Sequence, residues 1–224
     1  MDALTRLSAW MTPYAVVWVV GLALGAAGCK GNRGGQTLPA PVERAEALAE
    51  DVQDDLDRNA WPAAEAKLRE LQATGEKLAS VGVARTKRSA YGNALDSLDA
   101  AITRRSLADA LTAGNHVSRV VTGIMADYPT KVPAHVALMD VAGRDVLYAA
   151  QQGRWSDAAN AAAEAGRSYA PVQAHVKASN PALDQRVTSE MEQLQRAVAS
   201  RARDRVASLA QALLEDVDHI EQTF

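Results

Sequence analysis

Cysteine is almost missing from this chain: Cys29 is the single one in 224 residues. No intrachain disulfide can form, a Cys-ligated metal centre has no ligand set, and Cys-x-x-Cys-His haem attachment is excluded. Aromatic side chains are scarce as well, at 4% of residues with one Phe, while Ala, Leu and Val supply most of the apolar surface. Ala is the best helix former and lets helices approach closely, so this composition favours an all-α bundle over a sheet. Excess positive charge is also absent. The formal net charge is −3, and no basic tract alternates with aromatics, which argues against nucleic acid as a partner. The chain has no Gly-rich phosphate loop, no Gly-x-Ser-x-Gly elbow and no His-Glu-x-x-His helix, so the motif-borne enzyme classes lose their support.

What the chain does contain begins at its N-terminus. Arg6 and the free amine precede an apolar run from about Tyr14 to Ala27, and Ala26, Ala27 and Gly28 lead directly into Cys29. A short basic segment, an apolar stretch and small residues before the cut form the layout of a cleavable export signal. The segment resembles the bacterial lipoprotein signal, with Ala26 in place of the Leu usual three residues before the Cys and with Asp2 offsetting Arg6. That resemblance implies removal of residues 1–28, a lipid (diacylglycerol and palmitate) on Cys29, and a lipid-anchored protein of the cell or outer membrane whose domain faces the periplasm or the exterior. Lys30 after the Cys, rather than Asp, favours the outer membrane on the sorting rule of that class. An ordinary signal peptide with a free thiol and an uncleaved anchor are the alternatives, although Pro13 leaves barely enough apolar length to span. Cleavage removes one cation and one anion, so the net charge is unchanged.

Residues 29–41 are rich in Gly and Pro and have no apolar period, so they read as a flexible tether. From residue 42 to 224 the spacing is helical. Ala45, Leu48, Val52 and Leu56 form one stripe and Leu68, Leu71 and Leu78 the next, after a break at 58–62 where Asn59 and an early Pro62 signal a helix start. The series from Leu95 to Ile124 reads as one long segment, or as two helices if Ser106 and Asp109 restart it by capping. Asp127 to Pro133 breaks the chain.

The second half repeats the first. An offset of 94 places Asp51, Val52, Trp61, Ala64 and Glu70 on Asp145, Val146, Trp155, Ala158 and Glu164; an offset of 96 places Leu95, Ile102, Arg105, Val117 and Ile124 on Met191, Val198, Arg201, Leu213 and Ile220. Copy one is 42–128 and copy two 134–224. Each copy, read as a helical hairpin, cannot bury its apolar stripe alone, so the expected fold is an all-α bundle of two tandem helical-hairpin units, as a four-helix bundle with broken helices or as stacked shorter pairs. Gly153, Trp155, Ala158, Ala162, Ala165 and Pro171 are locally similar to tetratricopeptide repeats, a resemblance that implies a concave surface for a protein partner.

Chemistry-bearing candidates are few. Haem or a metal held without covalent attachment would draw on His116, His135, His175, His219, Met125, Met139 and Met191, yet core methionines and surface histidines are the simpler reading. Asp216-x-x-His219 has the spacing of a di-iron helix pair, but copy one has Gly123 at the matching place, and Glu215, Asp216, Asp218 and Glu221 read as a solvated face. Asp140 and Arg144 stand four apart in the order that favours an ion pair. Asn115, with Gln211 at the equivalent position, is a candidate for a hydrogen bond between copies. Trp61 and Trp155 either close the ends of cores or form a paired aromatic platform. The overall expectation is a lipid-tethered, non-catalytic binding or scaffolding domain without a cofactor and with a protein partner in the envelope. A small-molecule, haem or metal carrier is the competing class.

Overall fold

The computed structural model describes residues 38–224 and is all-α. Among these residues the order is α1 (Ala40–Asp57), α2 (Trp61–Lys77), a 3-10 turn (Leu78–Val81), α3 (Arg85–Thr103), α4 (Leu107–Met125), α5 (Ala134–Gln151), α6 (Trp155–Tyr169), α7 (Gln173–Ser179), α8 (Pro181–Ala199) and α9 (Arg203–Glu221). No described helix is long and apolar enough to cross a membrane. The lipobox residues and Cys29 lie outside the described residues.

The repeat extends to the helix boundaries. α1 shifted by 94 covers the range of α5, and α3 and α4 shifted by 96 cover α8 and α9. The extra two residues fall between α6 and α8, where the 3-10 turn of the first half is replaced by α7; a surface connection accepts such an insertion at small entropic cost. The turns repeat as well. Asn59 and Gly153 take left-handed backbone at φ 55° and 73°, as do Arg105 and Arg201 at 52° and 54°. In each turn the next amide reaches back five residues, as in Ala60 N to Asp55 O and Arg154 N to Ala149 O, both at 2.7–2.8 Å, closing a Schellman motif. Asn59 therefore ends α1 rather than starting α2, and Asn at this position is explained because Asn and Gly tolerate left-handed backbone best. Ser106 is the N-cap residue of α4, but its hydroxyl donates to Asp109 Oδ2 at 2.8 Å instead of accepting from the backbone.

Each half contains two hairpins, and the two close on each other. In the first, α1 packs on α2, α2 on α3, α3 on α4, and α4 back on α1; in the second, α5, α6, α8 and α9 do the same. The long segment of the first half is thus two antiparallel helices, turned at 104–106, and each half is a complete four-helix bundle with a core of its own. The return contacts of α4 on α1 and α9 on α5 also separate this fold from an open tetratricopeptide stack, where each repeat touches only its neighbours. The bundles meet along α4 and α5, and Tyr148 of α5 inserts into the first core.

Candidate functional site at the junction of the bundles

Two features of the junction carry polar chemistry: a hydrogen-bonded seam between α4 and α5, and a cleft where α1 and α9 flank α5. In the seam, fully buried Asn115 donates through Nδ2 to Val141 O at 2.8 Å and Asp145 Oδ1 at 2.7 Å. Arg119 donates to Asp145 Oδ2 at 2.6 Å and to Glu164 Oε1 on α6. Gln53 Nε2, from α1, reaches Leu111 O at 3.3 Å and Tyr148 Oη at 3.2 Å, and Gln152 Nε2 donates to Thr112 Oγ1 at 3.0 Å. Gln53 Oε1 and Asn115 Oδ1 remain buried without a partner. A Cβ on Gly114 would stand 2.2 Å from Gln53 Oε1, so glycine is what admits this amide between the helices.

The internal repeat explains why Arg119 is needed. In the first bundle the matching acids are neutralised at home: Lys67 binds Asp51 at 2.7 Å, and Arg44 pairs with Glu70. At the offset of 94, Lys67 becomes Ala161 and Arg44 becomes Leu138. Asp145 and Glu164 thus lack the equivalent cations, Arg144 and Arg154 of that hairpin being paired with Asp140 and Asp157, and Arg119 of the first bundle serves both. Its charge is held on: burial works against it, but the hydrogen bonds and fields of Glu164 and Asp145 prevail and raise its pKa.

The cleft is crowded with carboxylates around one guanidinium. Arg144 pairs with Asp140 at 3.2 Å, both side chains about one quarter exposed. Glu46, Glu50 and Asp57 approach from α1, and Asp218 and Glu221 from α9. Burial raises the pKa of Asp140, against the pull of Arg144. It also raises Glu46, with Glu43 adding, and Asp57 and Asp218, with Asp140 the main charge behind the last. Glu50 is pushed up to about 7 by desolvation, then by Glu46, Asp140 and Glu221; Glu221 reaches about 7 through desolvation, Asp218, Asp140 and Glu46. Glu50, Asp57 and Asp218 keep solvent access, so screening limits what these interactions contribute to stability.

Of the sequence candidates, Asn115 lies in the seam, and Asp140 and Arg144 lie in the cleft, half-buried rather than on an open surface. Asn115 does bridge the copies, but to α5; Gln211 is exposed. Trp61 and Trp155 are half-buried, each against its own core, so the paired platform is not formed; Trp61 also lies under Arg105, whose guanidinium is 5.3 Å from the ring centroid. All four histidines are exposed on four different helices, while Met125 and Met139 fill cores, so the pool considered for haem or metal does not converge. Among the described residues no group of three His, Cys, Asp or Glu is placed to hold a metal.

Asp216 and His219 also part company. Asp216 is 3% exposed and accepts from Arg186 on both oxygens, Nε to Oδ1 at 2.8 Å and to Oδ2 at 3.0 Å with Nη2 also to Oδ1, whereas exposed His219 contacts Glu215 O. Beside Asp216, Glu190 has a buried, unpartnered Oε2 and is pushed up to about 7 by desolvation and by Asp216. Copy one has Ala94 and Val120 at these positions, so this pairing of buried Asp216 with half-buried Glu190 belongs to the second bundle alone.

Sequence reading missed Arg119, Asp145 and Glu164 as a set, and Gln53. The signal was present in the repeat itself: two cations of the first copy have no counterpart in the second, while the acids they serve are kept. No family model matches the chain, and no curated protein or solved structure is similar to it at a significant level.

Proposed function

We propose that this protein is a lipoprotein tethered through Cys29 on the outer side of a bacterial membrane, and that its double bundle binds or scaffolds a protein partner of the envelope rather than catalysing a reaction. The partner surface is the cleft between α1, α5 and α9. The observation that supports this reading is the charge imbalance there: Asp140, Glu50, Asp57 and Asp218 all act on Arg144, Glu46 and Glu221 add charge beside them, and the one ion pair formed among these groups is Asp140–Arg144. Unneutralised carboxylates on one face attract a basic segment, speed its encounter and fix its orientation.

Two experiments test the two parts. Cys29→Ser should abolish palmitate labelling and release the protein from the membrane fraction; retention on the membrane overturns the tether. A photo-crosslinking residue at Ala47 or Gln222, beside the cleft, should give a salt-sensitive adduct in native membranes, and one at Ala163, on the far face of α6, should give none. Adducts of equal yield at all three positions would sink the cleft as the docking surface.

A further inference from the structure

We infer that the first bundle carries a binding site of its own, a groove between α2 and α3 that takes a short zwitterionic peptide, its carboxylate on Arg69 and its ammonium on Asp99. No residue of the α1–α5–α9 cleft lines this groove, and the inference holds with or without the lipid tether.

The groove has a volume of about 390 Å³, within the range of small-ligand sites. Its floor is apolar, made by buried Leu68 of α2 and Ile102 of α3. At one end Glu65 and Arg105 pair at 2.7 Å, and the Arg105 guanidinium lies over Trp61, so these two charges and that ring are already engaged. Along the rest of the rim stand exposed Arg69 and Gln72 from α2 and exposed Asp99 and Thr103 from α3. Opposite charges on neighbouring helices are joined elsewhere in this bundle, Lys67 to Asp51 at 2.7 Å and Lys87 to Asp127 at 2.6 Å. Arg69 and Asp99 line the groove from its two walls and, among the described residues, form no ion pair.

The internal repeat separates this set from the needs of the fold. α6 and α8 are the equivalent helices and pack on each other as α2 and α3 do, yet Arg69 becomes Ala163, Gln72 becomes Gly166, Asp99 becomes Gln195 and Thr103 becomes Ala199. The same helix pair forms with both charges removed, so the charged groove belongs to the first bundle alone.

The lining also selects the ligand. Two cations against two carboxylates leave no excess of either sign for a phosphate or a divalent cation, and one of those carboxylates is held by Arg105. A sugar finds no open aromatic face, because Arg105 covers that of Trp61. A molecule with one separated charge of each sign matches Arg69 on one wall and Asp99 on the other, and Gln72 and Thr103 are left to hydrogen-bond a peptide group. Packed helix axes lie about 8–10 Å apart, and each peptide residue adds about 3.3–3.6 Å, so two or three residues reach from wall to wall.

The test is a titration of the full chain, carrying Cys29→Ser, with alanylalanine near pH 7, followed by amide chemical shifts. The expected result is saturable, millimolar binding that moves the amides around Arg69 and Asp99. N-acetyl-alanylalanine, which lacks the ammonium, and alanylalanine amide, which lacks the carboxylate, should each bind about fivefold more weakly, as for one exposed ion pair lost. The second copy supplies substitutions compatible with the fold. Arg69→Ala should erase the preference for the free carboxylate and keep that for the free amine, Asp99→Gln should do the reverse, and Arg104→Ala, outside the groove, should change neither. Shifts that do not saturate, shifts centred on other helices, blocked peptides bound as tightly as the free one, or preferences that survive Arg69→Ala and Asp99→Gln each overturn the inference.

Discussion

The two bundles have matching helix boundaries and fill them differently. In the first, Gly75 on α2 makes room for Tyr91 on α3, whose hydroxyl donates to Leu71 O at 2.9 Å; a Cβ on Gly75 would come within 2.9 Å of that ring. In the second, the equivalent positions are Tyr169 on α6 and Val187 on α8, and the Tyr169 hydroxyl donates to Asp184 Oδ1 at 2.9 Å. One large ring is needed at this level of the bundle, and either facing helix can supply it. The difference teaches that the large ring belongs to the pair of facing helices, not to one position. Charge follows a different rule. The first bundle neutralises Asp51 and Glu70 internally, while the second draws on Arg119 from its neighbour for the equivalent Asp145 and Glu164.

The largest expected effect comes from breaking the volume exchange. Tyr169→Gly should cost about 3–5 kcal/mol by leaving a cavity, and adding Val187→Tyr should recover much of that loss by restoring the arrangement of the first bundle; chemical denaturation of both variants measures it. No recovery would mean that the swapped ring cannot fit. Next comes the borrowed cation. Arg119→Ala leaves Asp145 and Glu164 half-buried without a counter-charge and should cost roughly 2 kcal/mol, against less than about 1 kcal/mol for Lys67→Ala in the first bundle. Equal losses would erase the asymmetry between the copies.

A smaller effect sharpens the electrostatic contrast. Because the pKa of Glu190 is raised to about 7, its support for the fold is present below its ordinary 4.5 and lost as pH rises through about 7. Glu190→Gln should therefore leave stability near pH 4.5 unchanged and raise it above pH 7, which thermal melts across that range would detect. The smallest effect concerns the shared turns. Arg201→Gly relieves a left-handed non-glycine residue and should stabilise by up to about 1 kcal/mol, provided the extra freedom of the unfolded chain does not offset it.

Much of this fold is legible in the residues, because helical spacing and the offsets of 94 and 96 are local patterns. The turn at 104–106 is harder to place: Arg105 is not a residue that advertises left-handed backbone, so two helices look like one long segment. The junction is legible only in part. Asn115 stands out as a polar residue in an apolar stripe, and Asp140 and Arg144 as neighbours on one helix. Arg119 looks like any surface arginine, since its two partners are 26 and 45 residues away. Distance in sequence hides such a link, and the comparison of copies, with Lys67 answered by Ala161, is the one route by which residues alone point to it.

The seam also has a direction, and this sets a stoichiometry. Where α4 presents Arg119, α9 presents Glu215, and where α5 presents bare Asp145 and Glu164, α1 and α2 present Asp51 and Glu70 already matched by Lys67 and Arg44. First halves produced alone would offer Arg119 to acids that are already taken; second halves would oppose Glu215 to Asp145 and Glu164. Mixed, the two halves pair one to one, and the series ends after a single step, because neither outer face can accept a third bundle in the same way.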